Sequence, residues 1–184
     1  MIAYFNGSWV DHDSIAVSPE DRGFLFADGV YEVIRAYGGR PFAVAAHTAR
    51  LARSLSEIRL AWPAASTLPG VVERLLAENG LADRDALIYV QITRGAAPRK
   101  HRFPAADTPP TAYAVARTWS PTPGLADGVA AILVPDTRWA RCDIKSVALL
   151  ANVLAHQQAV EAGAAEAVFV RDGVVTEGTR TNVC

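Results

Sequence analysis

Short apolar runs joined by glycine-containing turns are the feature of this sequence that most limits its fold. Two-residue turns that contain glycine match the twist of the strands they join, and strands joined in this way run antiparallel. Three such pairs occur: Ile2–Phe5 with residues 9–10 around Asn6 and Gly7, Gly29–Tyr37 with residues 41–44 around Gly38 and Gly39, and residues 167–170 with residues 174–177 around Asp172 and Gly173. We therefore expect an α+β fold with mixed or antiparallel sheets rather than a doubly wound parallel sheet.

The remaining segments supply helices and single strands. Apolar residues recur at helical spacing over residues 46–60 and 68–81, and Ser146 is placed to cap a helix that runs to residue 162. Further strands are predicted at Ala86–Thr93, 111–117 and 129–134, and loops at 19–28 and 94–110.

A proline-rich stretch at residues 120–124 is the best linker in the chain, because prolines stiffen it and Gly124 ends it. It predicts a smaller N-terminal α/β domain over residues 1–119 and the start of a larger C-terminal domain over residues 125–184. The sequence stops soon after the last predicted strand, with no capping glycine or closing helix. We expect the second domain to be incomplete and the chain to be a fragment.

Composition narrows the class of partner. The formal net charge is −1, with 18 basic and 19 acidic residues and no basic stripe, which argues against a nucleic-acid partner. Cys142 and Cys184 lack the spacing of a disulfide framework or a metal site, and Cys142 is expected to be buried. No signal peptide and no apolar stretch of membrane-spanning length is recognised, so a cytoplasmic protein without a membrane partner is expected.

Two residues could carry chemistry. Lys145 lies between a predicted strand and an apolar helix; it is either an exposed lysine or a Schiff-base lysine, whose amine must be uncharged to attack an aldehyde. Glu177 is either a surface glutamate at a strand end or a carboxylate that keeps the ring nitrogen of pyridoxal phosphate (PLP) protonated. Residues 178–181 offer N–H and hydroxyl donors for a phosphate.

Several motifs, in order and with compatible spacing over essentially the whole chain, resemble the fold-type IV PLP enzymes. That group includes the D-amino-acid aminotransferases, the branched-chain aminotransferases and aminodeoxychorismate lyase, and the first of these is the most similar. The motifs occupy residues 20–33, 93–95 with 98–104, 138–146, and 176–178 with 181–183.

The resemblance implies the cofactor PLP and a set of residues that bind it. Lys145 is implied as the catalytic Schiff-base lysine and proton shuttle, and Glu177 as the partner of the ring nitrogen. Arg138 is implied at the phenolic oxygen of the cofactor. Arg50 is implied as the phosphate anchor, although a helix-surface arginine is the better reading of Arg50 without the family. The phosphate is also implied to contact the turn that contains Arg180 and Thr181.

The resemblance also implies where the substrate binds. Tyr31, Arg99 and His101 are implied as the trap for the substrate α-carboxylate, with the Arg99 and His101 loop contributed by the neighbouring subunit of a homodimer. A mobile surface loop is the alternative reading of residues 94–104. Val33 and Phe26 are implied to line the side-chain pocket. His47 is implied near the trap, and a surface helix histidine is nearly as good a reading.

The implied reaction is ping-pong transamination between a D-amino acid, of the D-alanine or D-glutamate class, and a 2-oxo acid. A branched-chain L-aminotransferase and an aminodeoxychorismate lyase remain alternatives, which the motifs at residues 31–33 and 99–101 disfavour. An (R)-selective amine transaminase would not need a carboxylate trap. The alternative to an enzyme is a truncated fragment without catalytic activity.

Overall fold

The computed structural model describes residues 1–121 and 127–183 and divides the chain into two compact units. The first contains Met1–Ser120 together with Asp143–Ala148, and the second contains Pro121–Cys142 and Leu149–Cys184. Most of the predicted linker at residues 120–124 lies outside the described residues, so the predicted domain boundaries stay a prediction. Each unit is described by itself below.

A six-stranded antiparallel sheet organises the first unit, in the order β2-β1-β6-β5-β3-β4. The strands are β1 (Ile2–Phe5), β2 (Ser8–Asp11), β3 (Gly29–Tyr37), β4 (Arg40–Pro41), β5 (Ala86–Thr93) and β6 (Thr111–Thr118). The helices are α1 (Arg22–Phe26), α2 (Val44–Glu57) and α3 (Leu68–Glu78), with 3-10 turns at His12–Ser14 and Pro63–Thr67. The expected antiparallel α+β arrangement is confirmed.

One face of this sheet carries the main core. Burial alternates along β3, because successive side chains point to opposite faces of a strand. The core combines strand residues with the apolar faces of α2 and α3: Val30, Ile34, Ile88, Val90, Ile92, Leu51, Leu55, Leu68, Val72 and Leu75. Glu32 shares the buried face of β3 and is fully buried, so an acidic side chain lies on the core side of the sheet.

The second unit is built on a three-stranded mixed sheet in the order β7-β8-β9. Its elements are β7 (Ala131–Pro135), α4 (Leu150–Glu161), β8 (Glu166–Arg171) and β9 (Val174–Gly178). Strands β7 and β8 are parallel, as a helical crossover requires, and β9 returns antiparallel. A small core of Val134, Ala155, Ala159, Ala167 and Phe169 holds the unit together. Large apolar side chains are exposed elsewhere in it: Leu133, Leu150, Val153, Leu154 and Val174.

Four local predictions are wrong. The predicted loop at residues 19–28 contains α1, which Asp21 caps by accepting a hydrogen bond from the Gly23 N–H at 2.8 Å and which the left-handed Ala27 ends. A helix this short shows no apolar periodicity. The return strand predicted at residues 41–44 is only Arg40–Pro41, because Ala43 is left-handed and α2 begins at Val44.

The other two errors concern residues 142–146. Ser146 does not cap a helix, because it forms an antiparallel bridge with Val30, and α4 begins later, at Leu150. Cys142 is exposed rather than buried; its thiol donates to the carbonyl of Trp139 at 3.1 Å. Ser146 is placed by its pairing with a strand more than a hundred residues earlier, which no local pattern indicates.

Within the described residues, no helix is long and apolar enough to cross a bilayer. The same residues contain no group of three or more His, Cys, Asp or Glu side chains that could hold a metal ion.

We expect Leu75→Ala to lower the free energy of unfolding by about 2–5 kcal/mol, because Leu75 is fully buried between α3 and the sheet and its removal leaves a cavity. Denaturant titration measures the change. Glu73→Ala, at an exposed position of the same helix, is the matched control and should change stability by less than about 0.5 kcal/mol. Equal losses in the two variants would contradict the assigned core.

Candidate active site

Backbone hydrogen bonds attach Lys145 and its neighbours to strand β3. The Tyr31 N–H donates to the Lys145 carbonyl at 3.0 Å, and the Val147 N–H donates to the Gly29 carbonyl at 3.1 Å. The Lys145 N–H donates to the hydroxyl of Ser54, which is fully buried on α2, at 3.3 Å. Segment Asp143–Ala148 is therefore fixed to both β3 and α2, although it is far from them in the sequence.

The amine of Lys145 lies against an aromatic surface. Its Nζ is 3.4 Å from the hydroxyl oxygen of Tyr31 and 4.4 Å from the centroid of the Tyr31 ring. Tyr31 stacks on Tyr89 with the ring centroids 5.8 Å apart. Burial raises the pKa of Tyr89 to about 12, so its hydroxyl stays protonated in neutral solution. In the described part of the chain no carboxylate forms an ion pair with the half-buried Lys145.

Tyr31 and Val33 share one face of β3, and the residue between them points the other way. Glu32 accepts two hydrogen bonds from Arg50, from Nε at 2.6 Å and from Nη2 at 2.7 Å, and its Oε2 lies 2.8 Å from His47 Nδ1. The structure therefore brings the predicted residues His47 and Arg50 together around a buried carboxylate. Sequence reasoning missed Glu32; its position on the buried face of an alternating strand, near a His and an Arg three residues apart on a helix, was the available signal.

Phe26 contacts both predicted trap residues that follow β5. The Phe26 ring lies 5.4 Å from the His101 ring and 5.3 Å from the guanidinium carbon of Arg99. Phe26 ends α1, so this short helix carries the aromatic ring that the side chains of Arg99 and His101 contact.

In the second unit, Arg138 and Glu177 line one open cleft. The cleft has a volume of about 410 Å³. Arg138 forms ion pairs with both Glu177 and Asp136. Asp136 also forms an ion pair with Arg171, at 3.1 Å, and accepts a hydrogen bond from the Thr176 hydroxyl at 2.9 Å. The hydrogen bonds from Arg138 hold the pKa of Asp136 far below its usual range. Glu177 is half-exposed, so its carboxylate is open to a ligand in this cleft.

The turn after β9, where phosphate donors were predicted, wraps around Glu166. The Glu166 carboxylate accepts from the Thr179 hydroxyl, from the Arg180 N–H at 3.3 Å, and from the Thr181 N–H and hydroxyl at 3.1 and 2.7 Å. Consecutive N–H groups in such a turn make an anion-binding concavity. In this structure the anion is the buried Glu166, which no sequence pattern identified.

Comparison with known proteins adds a decisive observation. The sequence model of the family described as "Amino-transferase class IV" matches residues 29–184.

The chain belongs to the class IV aminotransferase family.

Curated relatives agree with this membership. The chain is 45% identical over 182 residues to a D-alanine aminotransferase of Staphylococcus haemolyticus, a match that covers 98% of the chain and 64% of that protein. It is 45% identical over 184 residues to a D-alanine aminotransferase of Bacillus licheniformis, covering 100% and 64%. This class IV chain thus spans about 64% of the length of the curated relatives it matches.

Solved structures show the same fold, and the predicted fold-type IV architecture is confirmed. The fold IV-transaminase CpuTA1 of Curtobacterium pusillum matches with a TM-score of 0.80 at 22% identity, over 95% of this chain and 60% of that one. A branched-chain amino acid aminotransferase of Escherichia coli matches with a TM-score of 0.82 at 21% identity, over 97% and 62%.

We expect Glu166→Gln to lower the free energy of unfolding by about 3 kcal/mol at neutral pH. Burial raises the pKa of Glu166, but the hydrogen bonds from Thr179, Thr181 and the turn backbone outweigh it and bring the pKa to about 2, from 4.5. A carboxyl whose pKa is lower in the folded state adds stability above its unfolded pKa and loses it as the pH falls.

Denaturant titrations of the unsubstituted protein and of the Glu166→Gln variant, from pH 7 to pH 2, measure the difference in their free energies of unfolding. The difference between them should shrink as the pH falls from about 4.5 towards about 2. Glu161→Gln, at an exposed position of the same unit, is the control. A Glu166→Gln effect that is constant over this range would show that the carboxylate charge contributes nothing.

Proposed function

We propose that the protein is a PLP-dependent aminotransferase that moves an amino group between a D-amino acid of the D-alanine or D-glutamate class and a 2-oxo acid. The observation that carries the proposal is the half-buried Lys145 amine, tied by its backbone to β3 and lying on Tyr31 without an acidic partner in the described residues. The relatives named D-alanine aminotransferase, at 45% identity, support the substrate class.

The residues present fit PLP. When bound, PLP supplies an aldehyde for a lysine amine and a ring that accepts electrons from the substrate. Lys145 offers an amine that no carboxylate of the described chain pairs with. Glu177 and Arg138 line a cleft whose volume lies in the usual range for small-molecule sites, and they would hold the ring nitrogen and the phenolic oxygen. A hypothetical aminotransferase of Mycobacterium tuberculosis, solved in a PLP-bound form, has the same fold.

The phosphate group would be held by Arg50, Arg180 and Thr181. Glu32 presents the Arg50 guanidinium in a fixed orientation through two hydrogen bonds, which suits the planar recognition of an anion. The exposed Arg180 side chain would add a second guanidinium, and Thr181, whose N–H and hydroxyl donate to Glu166 in this structure, would have to turn its hydroxyl towards the phosphate.

The chain's own residues would then move one proton. Lys145, the catalytic residue, takes the proton from the α-carbon of the substrate as its general base and later returns a proton as its general acid. Tyr31 would orient the amine, which lies 3.4 Å from its hydroxyl oxygen and 4.4 Å from the centroid of its ring.

Substrate recognition would depend on a carboxylate trap. Tyr31, Arg99 and His101 would bind the α-carboxylate by charge-assisted hydrogen bonds, with Arg99 and His101 reaching the site of the neighbouring subunit in a homodimer. Val33 and Phe26 would line the side-chain pocket, with His47 near the trap. A carboxylate pinned on one side allows only one enantiomer to present its α-hydrogen to Lys145, which favours D-amino acids.

We expect borohydride reduction of the PLP-loaded protein to fix the cofactor on Lys145. The chain contains only two lysines, Lys100 and Lys145, so mass analysis assigns the adduct without ambiguity. Lys145→Ala should abolish the adduct, the absorbance band of the bound cofactor and transamination. Lys100→Ala, at an exposed position, is the control and should keep all three.

An adduct that persists in Lys145→Ala would overturn the proposed function. So would an unmodified Lys145 in a protein that transaminates D-alanine.

We expect Arg99→Ala and His101→Ala each to raise KM for D-alanine about tenfold or more, because each removes a charged hydrogen bond to the substrate carboxylate. The Kd for PLP, from absorbance titration, should change less than about twofold, because no cofactor contact is lost. Arg102→Ala, exposed in the same segment, is the control. Equal activity on L-leucine and D-alanine would contradict the proposed stereochemistry.

A further inference from the structure

The segment that carries Arg99 and His101 is attached to a buried arginine. The guanidinium of Arg22 donates from Nη1 to the carbonyl oxygen of Lys100 at 2.7 Å. Lys100 lies between the two proposed trap residues, so this bond holds the segment at its midpoint. The Arg22 side chain is only 4% exposed, and a loop carbonyl that water could satisfy is bonded here by a buried cation instead.

Asp28 holds Arg22 in turn. The Arg22 Nε donates to Asp28 Oδ2 at 2.8 Å, and Arg94 donates to both oxygens of the same carboxylate at 2.8 and 2.9 Å. Burial raises the pKa of Asp28, but the hydrogen bonds from Arg94 and Arg22 outweigh it, and the pKa lies below its ordinary value. Asp28 is therefore the anion that makes the burial of Arg22 tolerable.

Arg94 connects this group to the end of α2 and to the far side of the segment. It donates to the carbonyls of Ile58 and Arg59 at 2.6 and 3.1 Å. Its guanidinium carbon lies 3.9 Å from the centroid of the Phe103 ring. The segment is thus fixed at Lys100 by Arg22 and at Phe103 by Arg94, on either side of His101.

Helix α1 supplies a third attachment. The Phe26 ring lies 4.8 Å from the guanidinium carbon of Arg22, and it also contacts Arg99 and His101. Three cationic or titratable groups therefore rest on one ring, and two of them are the proposed trap residues. The hydrogen bond from α1 fixes the backbone of the segment, and the ring fixes the direction of its side chains.

We infer that Arg22, held by Asp28, is a positioning residue that sets the substrate-carboxylate recognition by fixing the segment of residues 99–101. The inference rests on the proposed function, because it takes Arg99 and His101 as the carboxylate trap. Arg22 itself touches no reacting atom. It acts by keeping a guanidinium and an imidazole in the orientation that a carboxylate requires, which lowers the entropy lost on binding.

The test uses Arg22→Lys and Arg22→Gln in the PLP-loaded protein. A lysine or glutamine reaches one of the two partners, the Asp28 carboxylate or the Lys100 carbonyl, but lacks the fork that bonds both at once. Arg102→Lys is the matched control, because Arg102 is exposed in the same segment. Two variants are used so that, if circular dichroism shows a folding defect in one of them, the other still tests the role of Arg22.

Two readouts are needed. Amide hydrogen exchange of residues 99–103 should be about tenfold faster in the Arg22 variants, because the segment loses its central attachment. KM for D-alanine should rise about tenfold, with kcat and the Kd for PLP changing less than about twofold. A general structural role would instead lower kcat and cofactor affinity together.

The outcomes separate this inference from the proposed function. Unchanged exchange at residues 99–103 overturns it whatever the activity. Faster exchange with an unchanged KM, in a protein whose Arg99→Ala variant does raise KM, also overturns it and leaves the carboxylate trap standing. If Arg99→Ala leaves KM unchanged as well, the trap itself is wrong and the positioning role falls with it.

Discussion

The backbone pairing between segment Asp143–Ala148 and the start of β3 is the constraint on which the proposed site depends. Two hydrogen bonds, from Tyr31 to the Lys145 carbonyl and from Val147 to the Gly29 carbonyl, attach this segment to a strand more than a hundred residues earlier in the sequence. A lysine side chain is long and flexible, and its amine is strongly hydrated when free. Backbone hydrogen bonds, including one from the backbone N–H of Lys145 to Ser54, fix the point from which the side chain starts, and its amine lies 3.4 Å from the hydroxyl oxygen of Tyr31. The reactivity proposed for Lys145 therefore follows from sheet pairing rather than from a strong partner at its amine.

The two faces of strand β3 carry different groups of proposed site residues. Tyr31 and Val33 lie on the face where the Lys145 amine rests, while Glu32, on the core face, holds Arg50 and His47. Strand geometry alone requires this division, since adjacent side chains point in opposite directions. A carboxylate that is fully buried needs hydrogen-bonding partners, and the two that meet it, Arg50 and His47, are three residues apart on one helix face. The same pairing thus stabilises Glu32 and orients a guanidinium that could bind an anion.

Several carboxylates with little solvent exposure each bind two or more donor groups in the described part of the chain. Asp28 joins two arginines beneath the segment of residues 99–101, Asp136 joins Arg138 and Arg171 in the second unit, and Glu166 gathers the turn at residues 179–181. In each case the carboxylate accepts several charged or backbone hydrogen bonds, which keeps it ionised despite its burial. An ionised carboxylate with all its acceptor sites used is rigid, because any movement breaks more than one bond. The segment of residues 99–101 and the turn at residues 179–181 are held in this way.

The sequence by itself determined the elements whose signals are local. The turn at Gly38 and Gly39 predicted the end of β3, and the Ile, Tyr and Val content of residues 86–93 predicted β5, both with the bounds that the structure has. The glycine turns indicated the antiparallel α+β class. The resemblance to the fold-type IV enzymes implied roles for Lys145, Arg50 and Glu177, and those roles remain proposals. Only the tertiary structure decided the order of the six strands, the placement of Lys145 beside Tyr31, and the partners of the buried carboxylates Glu32, Asp28 and Glu166. The physical reason is distance along the chain: turn chemistry and periodicity act over a few residues, whereas the Lys145 to Tyr31 and Arg94 to Asp28 contacts join residues 114 and 66 positions apart, which no local pattern specifies.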